Sequence, residues 1–175
     1  MKSWFLIISA FLVLISPSCS SKIDKWEKDL EICITKTDSV QYLLKTTLGD
    51  EQLEEELLEA EVLWNQLKLK FEDSNDTLTK EQMEILDDFN VAFHNARNLN
   101  KERLKCLIAT SKQRLRLQRL ENDIKLGNGK RSEYCENVQH EKEELTIIET
   151  HAKDIHRRFE ELKRSKTQFN ENFAL

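Results

Sequence analysis

The chain is almost without helix breakers. It holds one proline, Pro17, and three glycines in 175 residues, so everything beyond residue 17 is free of proline. Proline removes a backbone donor and fixes φ, and glycine serves where a chain must turn sharply. Their scarcity argues against many short elements joined by tight turns. Alternating β-branched runs are missing and turn dipeptides are few, so nothing signals a sheet. Gly-x-Ser-x-Gly and phosphate-cradling glycine loops are absent as well, which removes the commonest hydrolase and nucleotide motifs. The four cysteines, Cys19, Cys33, Cys106 and Cys135, contain no Cys-x-x-Cys pair, so neither a zinc ribbon nor a thioredoxin-type motif is present.

Positive charge is not in excess either. The formal net charge is −5, which gives no general case for a nucleic-acid partner. Charge is nevertheless uneven along the chain. Residues 50–61 (DEQLEEELLEAE) are strongly acidic, whereas 101–119 are basic through Lys101, Arg103, Lys105, Lys112, Arg114, Arg116 and Arg119.

What the chain has in abundance is Glu, Lys and Leu in a helical rhythm. Apolar residues recur at alternating four- and three-residue steps, the stripe of a packed helix seam. A first row is Ile23, Trp26, Leu30, Cys33, Thr37, Val40 and Leu44; a second is Leu53, Leu57, Ala60, Trp64, Leu67 and Phe71. Gly49 between them can take a left-handed helix-ending conformation and Asp50 can cap the next helix, so a tight antiparallel pair is expected. After a polar stretch, 73–78, the run Thr79-Lys80-Glu81-Gln82 reads as a capping box that starts a third helix.

The third row is Ile85, Phe89, Ala92, Ala96, Leu99, Arg103, Cys106, Thr110, Gln113, Leu117, Leu120 and Ile124, with Leu104, Leu107, Ile108 and Leu115 on a neighbouring face. We read one long helix that changes partner, with a break near 98–100 as the alternative. Gly127-Asn128-Gly129 ends it. The fourth row, Tyr134, Val138, Glu141, Leu145, Ile148, Ala152, Ile155, Phe159 and Leu162, is interrupted only by Glu141. The expected fold is therefore all-α: an elongated antiparallel bundle of about four helices over 26–164. A long two-helix projection, roughly 104–152, extends beyond the base, and a frayed tail covers 165–175. A projection with an uncovered second face would want a protein partner or a second copy through its seams.

Sites for chemistry are not evident. His94, His140, His151 and His156 lack the spacing of a helical zinc site, and none has Glu three residues before it, so no metal or cofactor is expected. All four are expected to face solvent. Glu141 is the one acid on a core stripe and reads as a register-setting residue rather than a catalytic one. Cys33 and Cys106 occupy stripe positions and read as buried thiols. Asn75-Asp76-Thr77 matches a glycosylation sequon. An enzyme is not expected.

The first residues carry an address. Lys2 precedes the apolar stretch 4–15, and Ser16-Pro17-Ser18 leads to Cys19, the layout of a secretory leader cut beside a small residue. The stretch is shorter than the ~20 residues needed to cross a bilayer. Leu14-Ile15-Ser16-Pro17-Ser18-Cys19, followed by Ser20-Ser21, resembles the lipobox of bacterial lipoproteins of the Bacteroidota type, although Ser16 stands where that family favours Leu. The resemblance covers only the first twenty or so residues. It implies a signal peptide over 1–18, acylation of Cys19, a short tether over 19–25 and a membrane partner reached through the lipid. It also implies an outer-membrane location, and the residues after Cys19 suggest the periplasmic face. Ser16 and Ser18 equally suit an ordinary signal peptidase, and the alternative is a secreted soluble bundle acting as a ligand or effector, possibly disulfide-linked.

Overall fold

The computed structural model describes residues 20–73 and 78–173. Five α-helices run through them: α1 (Ser20–Tyr42), α2 (Asp50–Asp73), α3 (Lys80–Ala96), α4 (Leu99–Leu126) and α5 (Arg131–Phe173). No strand occurs among the described residues. The protein is all-α, and its helices pack as a bundle.

Pairings between the helices define three rods. The first is α1 followed end to end by α2, the second is α3 followed by α4, and the third is α5 alone. Trp26 stacks on Tyr134, Lys142 pairs with Asp29 and Lys36 with Glu149; further on, Lys166 reaches Glu56 and Glu59, and Lys70 donates to the Phe173 carbonyl. Both partners advance in the same direction, so the first and third rods are parallel. The second runs against them: Asp38 meets Arg114, Glu54 meets Asn100 and Trp64 meets Phe89. At 1.5 Å per residue, the 43 residues of α5 make a rod about 65 Å long.

The seams explain why these helices form and pack. Leu30, Cys33, Thr37, Val40 and Leu44 are buried on the first rod, as are Leu53, Ala60 and Leu67. Every residue of the third row from Phe89 to Leu120 is buried, and so is every residue of the fourth from Val138 to Leu162. Those stripes close on one another inside a single chain.

The path of the first rod differs from the tight antiparallel pair expected at Gly49. Gly127 is the glycine with positive φ among the described residues; Gly49 is not left-handed and does not reverse the chain. A π-helical turn, Leu43–Thr47, precedes a short bend, and α2 starts at once, with Leu53 donating to the Gly49 carbonyl. The wider turn resets the phase of the stripe. Leu44, Leu48 and Leu53 consequently all face inward and are fully buried. α1 therefore continues along α4 and the start of α5 and covers the second face of the pair expected to project alone.

The second rod takes the alternative reading, a break at Arg97–Asn98, where Asn98 adopts φ −103° and ψ 3°. Ala96, Leu99 and Arg103 on either side are buried, so the seam crosses the break unchanged. The capping box is formed: the Thr79 hydroxyl accepts from the Gln82 amide, and the Gln82 side chain accepts from the Thr79 amide.

One further expectation is corrected. The segment 165–175 does not fray over its described length. α5 runs to Phe173, Phe169 is fully buried and Phe173 nearly so, because the aromatic pair closes the far core against Phe89. The tether expected over 19–25 is helical from Ser20 onward.

Candidate functional site

Cys19, the expected acylation site, lies outside the described residues, as do the leader and the sequon Asn75-Asp76-Thr77. The structure does locate where the chain enters the bundle. Trp26, on the first turns of α1, lies 6.0 Å from the Tyr134 ring, and the Tyr134 hydroxyl donates to the Asp123 carbonyl at 3.1 Å. The start of α1, the end of α4 and the start of α5 thus share one end. Gly127 makes the return there with φ 67°, and a Cβ on Gly129 would come within 3.0 Å of the Tyr134 ring.

Glu141 is the centre of a buried polar layer in the half that contains this end. It is 7% exposed. Its carboxylate accepts from Arg116 Nε at 3.1 Å, and its backbone carbonyl accepts from Gln113 Nε2 at 2.8 Å. Arg116 also donates to the Gln113 side-chain oxygen and lies 3.7 Å from Glu144. Thr37 and Thr110 complete the layer by donating to the carbonyls of Cys33 and Cys106, each at 2.7 Å. Every one of these groups is occupied in holding a helix to itself or to its neighbour. Along their helices Thr37, Thr110 and Gln113 fall between two apolar clusters, one around Leu117 and Val138 and the other around Phe89 and Phe159, while Glu141 falls within the first, between Val138 and Leu145.

A second tie lies at the waist, where two of the three rods are interrupted. Helix interruptions free backbone carbonyls, and a buried carbonyl without a donor is costly. Arg103, only 2% exposed, donates to the Leu44 carbonyl at 2.9 Å and to the Asn100 side chain at 3.2 Å. Burial lowers the Arg103 pKa from its ordinary value. Arg158 on the unbroken α5 donates to the Asn95 carbonyl at 3.1 Å and pairs with Glu102 and Asp154. Hydrogen bonding to Glu102 holds the Arg158 guanidinium above its usual value. Neither arginine was assigned this role from the sequence. Arg103 carried the one available signal, a guanidinium on a core stripe at the point where the register turns polar.

Cys33, Cys106 and Cys135 are unbridged; the first two are buried and Cys135 is exposed. Burial raises the thiol pKa of Cys33, partly opposed by Lys142, and that of Cys106, partly opposed by its hydrogen bond with Thr110. His94, His140 and His151 are exposed. His156 departs from expectation: it flanks the seam beside Ile155, is half-buried, and its Nδ1 has no hydrogen-bond partner. Among the described residues no three His, Cys, Asp or Glu side chains cluster as a metal site, and no helix is long and apolar enough to cross a membrane.

The described surface carries shallow grooves. One of about 530 Å³ lies between α1 and α4, lined by Trp26, Leu30, Ile34, Arg114 and Ile124 among others. Two smaller ones flank the exposed Leu58 on α2. The fold and its ties define an extended three-rod helical bundle. No family model matches the chain, no curated protein matches it in sequence, and no solved structure matches it.

Proposed function

We propose that this is a lipid-anchored extracytoplasmic protein that acts by binding, spacing or scaffolding rather than by catalysis. The observation that carries the reading is Cys19, preceded by an apolar leader and a small residue and followed at once by a helical rod. Acyl chains at that position would hold one end of the bundle at a membrane, outer and periplasm-facing by the family resemblance, with α2, α3 and the end of α5 at the opposite end of the rod. The use made of buried polar groups favours a rod over a reaction vessel: Glu141, Gln113, Arg103 and Arg158 each make a hydrogen bond that ties one helix to another. With the seams closed inside one chain, any protein partner would meet the outer faces.

The mass of the native N-terminus tests this. Cleavage before Cys19 with added acyl mass is the expected result, and Cys19→Ala should move the protein out of the membrane fraction with its helicity unchanged. An unmodified Cys19 at a mature N-terminus would instead make the protein a secreted bundle acting as a ligand or effector.

A further inference from the structure

The outward face of α4 combines exposed apolar side chains with a row of cations. Leu104, Ile108 and Leu115 are 46%, 57% and 55% exposed, and their steps of four and seven residues put them on one stripe directed away from the core. Lys101, Lys105, Lys112 and Arg119 follow the same spacing beside them and are exposed. None of these four forms an ion pair among the described residues, whereas the other cations of the helix are engaged. Arg103 holds the Leu44 carbonyl, Arg114 pairs with Asp38, Arg116 with Glu141 and Lys125 with Glu121. The one acid between residues 101 and 119 is Glu102, which is tied to Arg158 on α5.

Position along the rod adds a second argument. α4 belongs to the half of the bundle at which the chain enters, beside Trp26 and Tyr134. The opposite half presents a face of the other sign: on α2 the exposed Leu58, Val62 and Leu69 continue a row that begins with Glu51 and Glu55. Apolar side chains flanked by cations suit a surface of phosphates over hydrocarbon; the α2 face would be repelled by it.

We propose that the outward face of α4 docks on an anionic phospholipid bilayer, with Leu104, Ile108 and Leu115 entering the headgroup layer and Lys101, Lys105, Lys112 and Arg119 on the phosphates beside them. The proposal deepens the lipid-anchor reading and takes its setting from it: a rod tethered at this end would lie along the membrane by its α4 side. The contact itself does not need the acyl chains.

Residues 20–175 contain every described helix and lack Cys19, so vesicle flotation of that chain isolates the face. With vesicles about one-third phosphatidylglycerol, binding at low salt should be about tenfold or more tighter than with phosphatidylcholine alone. It should weaken steeply as salt is raised. The double variant K105E/K112E should bind anionic vesicles about 25-fold or more weakly, taking roughly fivefold per cation. L104S/I108S should weaken binding while keeping the salt dependence, and R164E, on the far part of α5, should change little. Unaltered circular dichroism in these surface variants would show that the fold is kept. Equal binding to both vesicle types, binding to neither, or indifference to K105E/K112E would overturn the proposal. So would finding that K105E/K112E splits a dimer in ultracentrifugation with vesicle binding unchanged, since a second copy would then occupy the face. The mass of Cys19 is read separately: a bare thiol with α4-dependent vesicle binding removes only the anchor, and an acylated Cys19 without such binding removes only this surface.

Discussion

The two halves of the bundle are held together differently. In the far half, Trp64, Phe89, Phe93, Phe169 and Phe173 form a continuous aromatic chain, with Phe89 and Phe169 4.5 Å apart and Phe169 and Phe173 4.7 Å apart. In the half where the chain enters, the core is smaller and is interrupted by the buried polar groups of Thr37, Thr110, Gln113 and Glu141. Apolar contact is strong but indifferent to register, since a stripe of similar side chains can slide by a turn at modest cost. Buried hydrogen bonds contribute less net stability, yet they penalise every misalignment. The far half accordingly supplies cohesion, and the near half fixes alignment.

Removing the far aromatic cluster should have the largest effect. Phe169→Ala is expected to destabilise the protein by about 3–5 kcal/mol, measured by denaturant unfolding. Deleting residues 165–175 should cost at least as much, whereas no loss would mean that this end is a loose tail and the contrast between halves is misdrawn. Arg103 comes next. Arg103→Ala strips the donor from the buried Leu44 carbonyl and should cost about 2–4 kcal/mol, with faster amide exchange at the waist than in α5. Lysine there should recover only part of the loss, because it lacks the planar fork that serves Leu44 and Asn100 together.

The polar layer should behave in the opposite way. Glu141→Leu is expected to leave thermal stability within about 1 kcal/mol of the parent or to raise it, since buried ionic groups replaced by apolar ones are often neutral or better. The half-exposed Arg116 can turn to Glu144 and water. The cost should fall on alignment, seen as broadened amide signals along α1 and α4. A loss of several kcal/mol would mean that the layer supplies cohesion after all.

The smallest effect concerns acid. A hydrogen bond from Lys153 holds the Glu149 carboxyl below its ordinary pKa, and one from Arg157 does the same for Asp154. Depressed folded values stabilise above the unfolded pKa, near 4, and that contribution is lost as pH falls through the lower folded values. Because both carboxylates are partly solvated, the melting temperature should fall only slightly between pH 5 and pH 3 on this account, by about a degree or two.

Much of the packing could be read from residue spacing alone. The seam positions need only the period of the helix and the preference of apolar side chains for the interior, both local properties, and the capping box at Thr79 follows from four consecutive residues. Glu141 and the buried Cys33 and Cys106 were legible for the same reason, because each falls on a stripe. His156 was not, since its burial depends on how closely neighbouring rods flank the seam.

Direction was the harder question. Leu48-Gly49-Asp50 has the composition of a reversal, yet the chain passes straight through it, because a π-helical turn and three buried leucines restore the stripe to the same face. Local composition can mark that a helix is interrupted; whether the next one turns back depends on which partner offers more buried surface. The same holds for the arginines. Their positions were visible on the page of letters, but the carbonyls they serve exist as open acceptors only once two rods are broken at one level beside an unbroken third. Sequence by itself determined the helices and their inner faces; tertiary structure decided their order in space, because only assembly reveals which backbone groups are left wanting a donor.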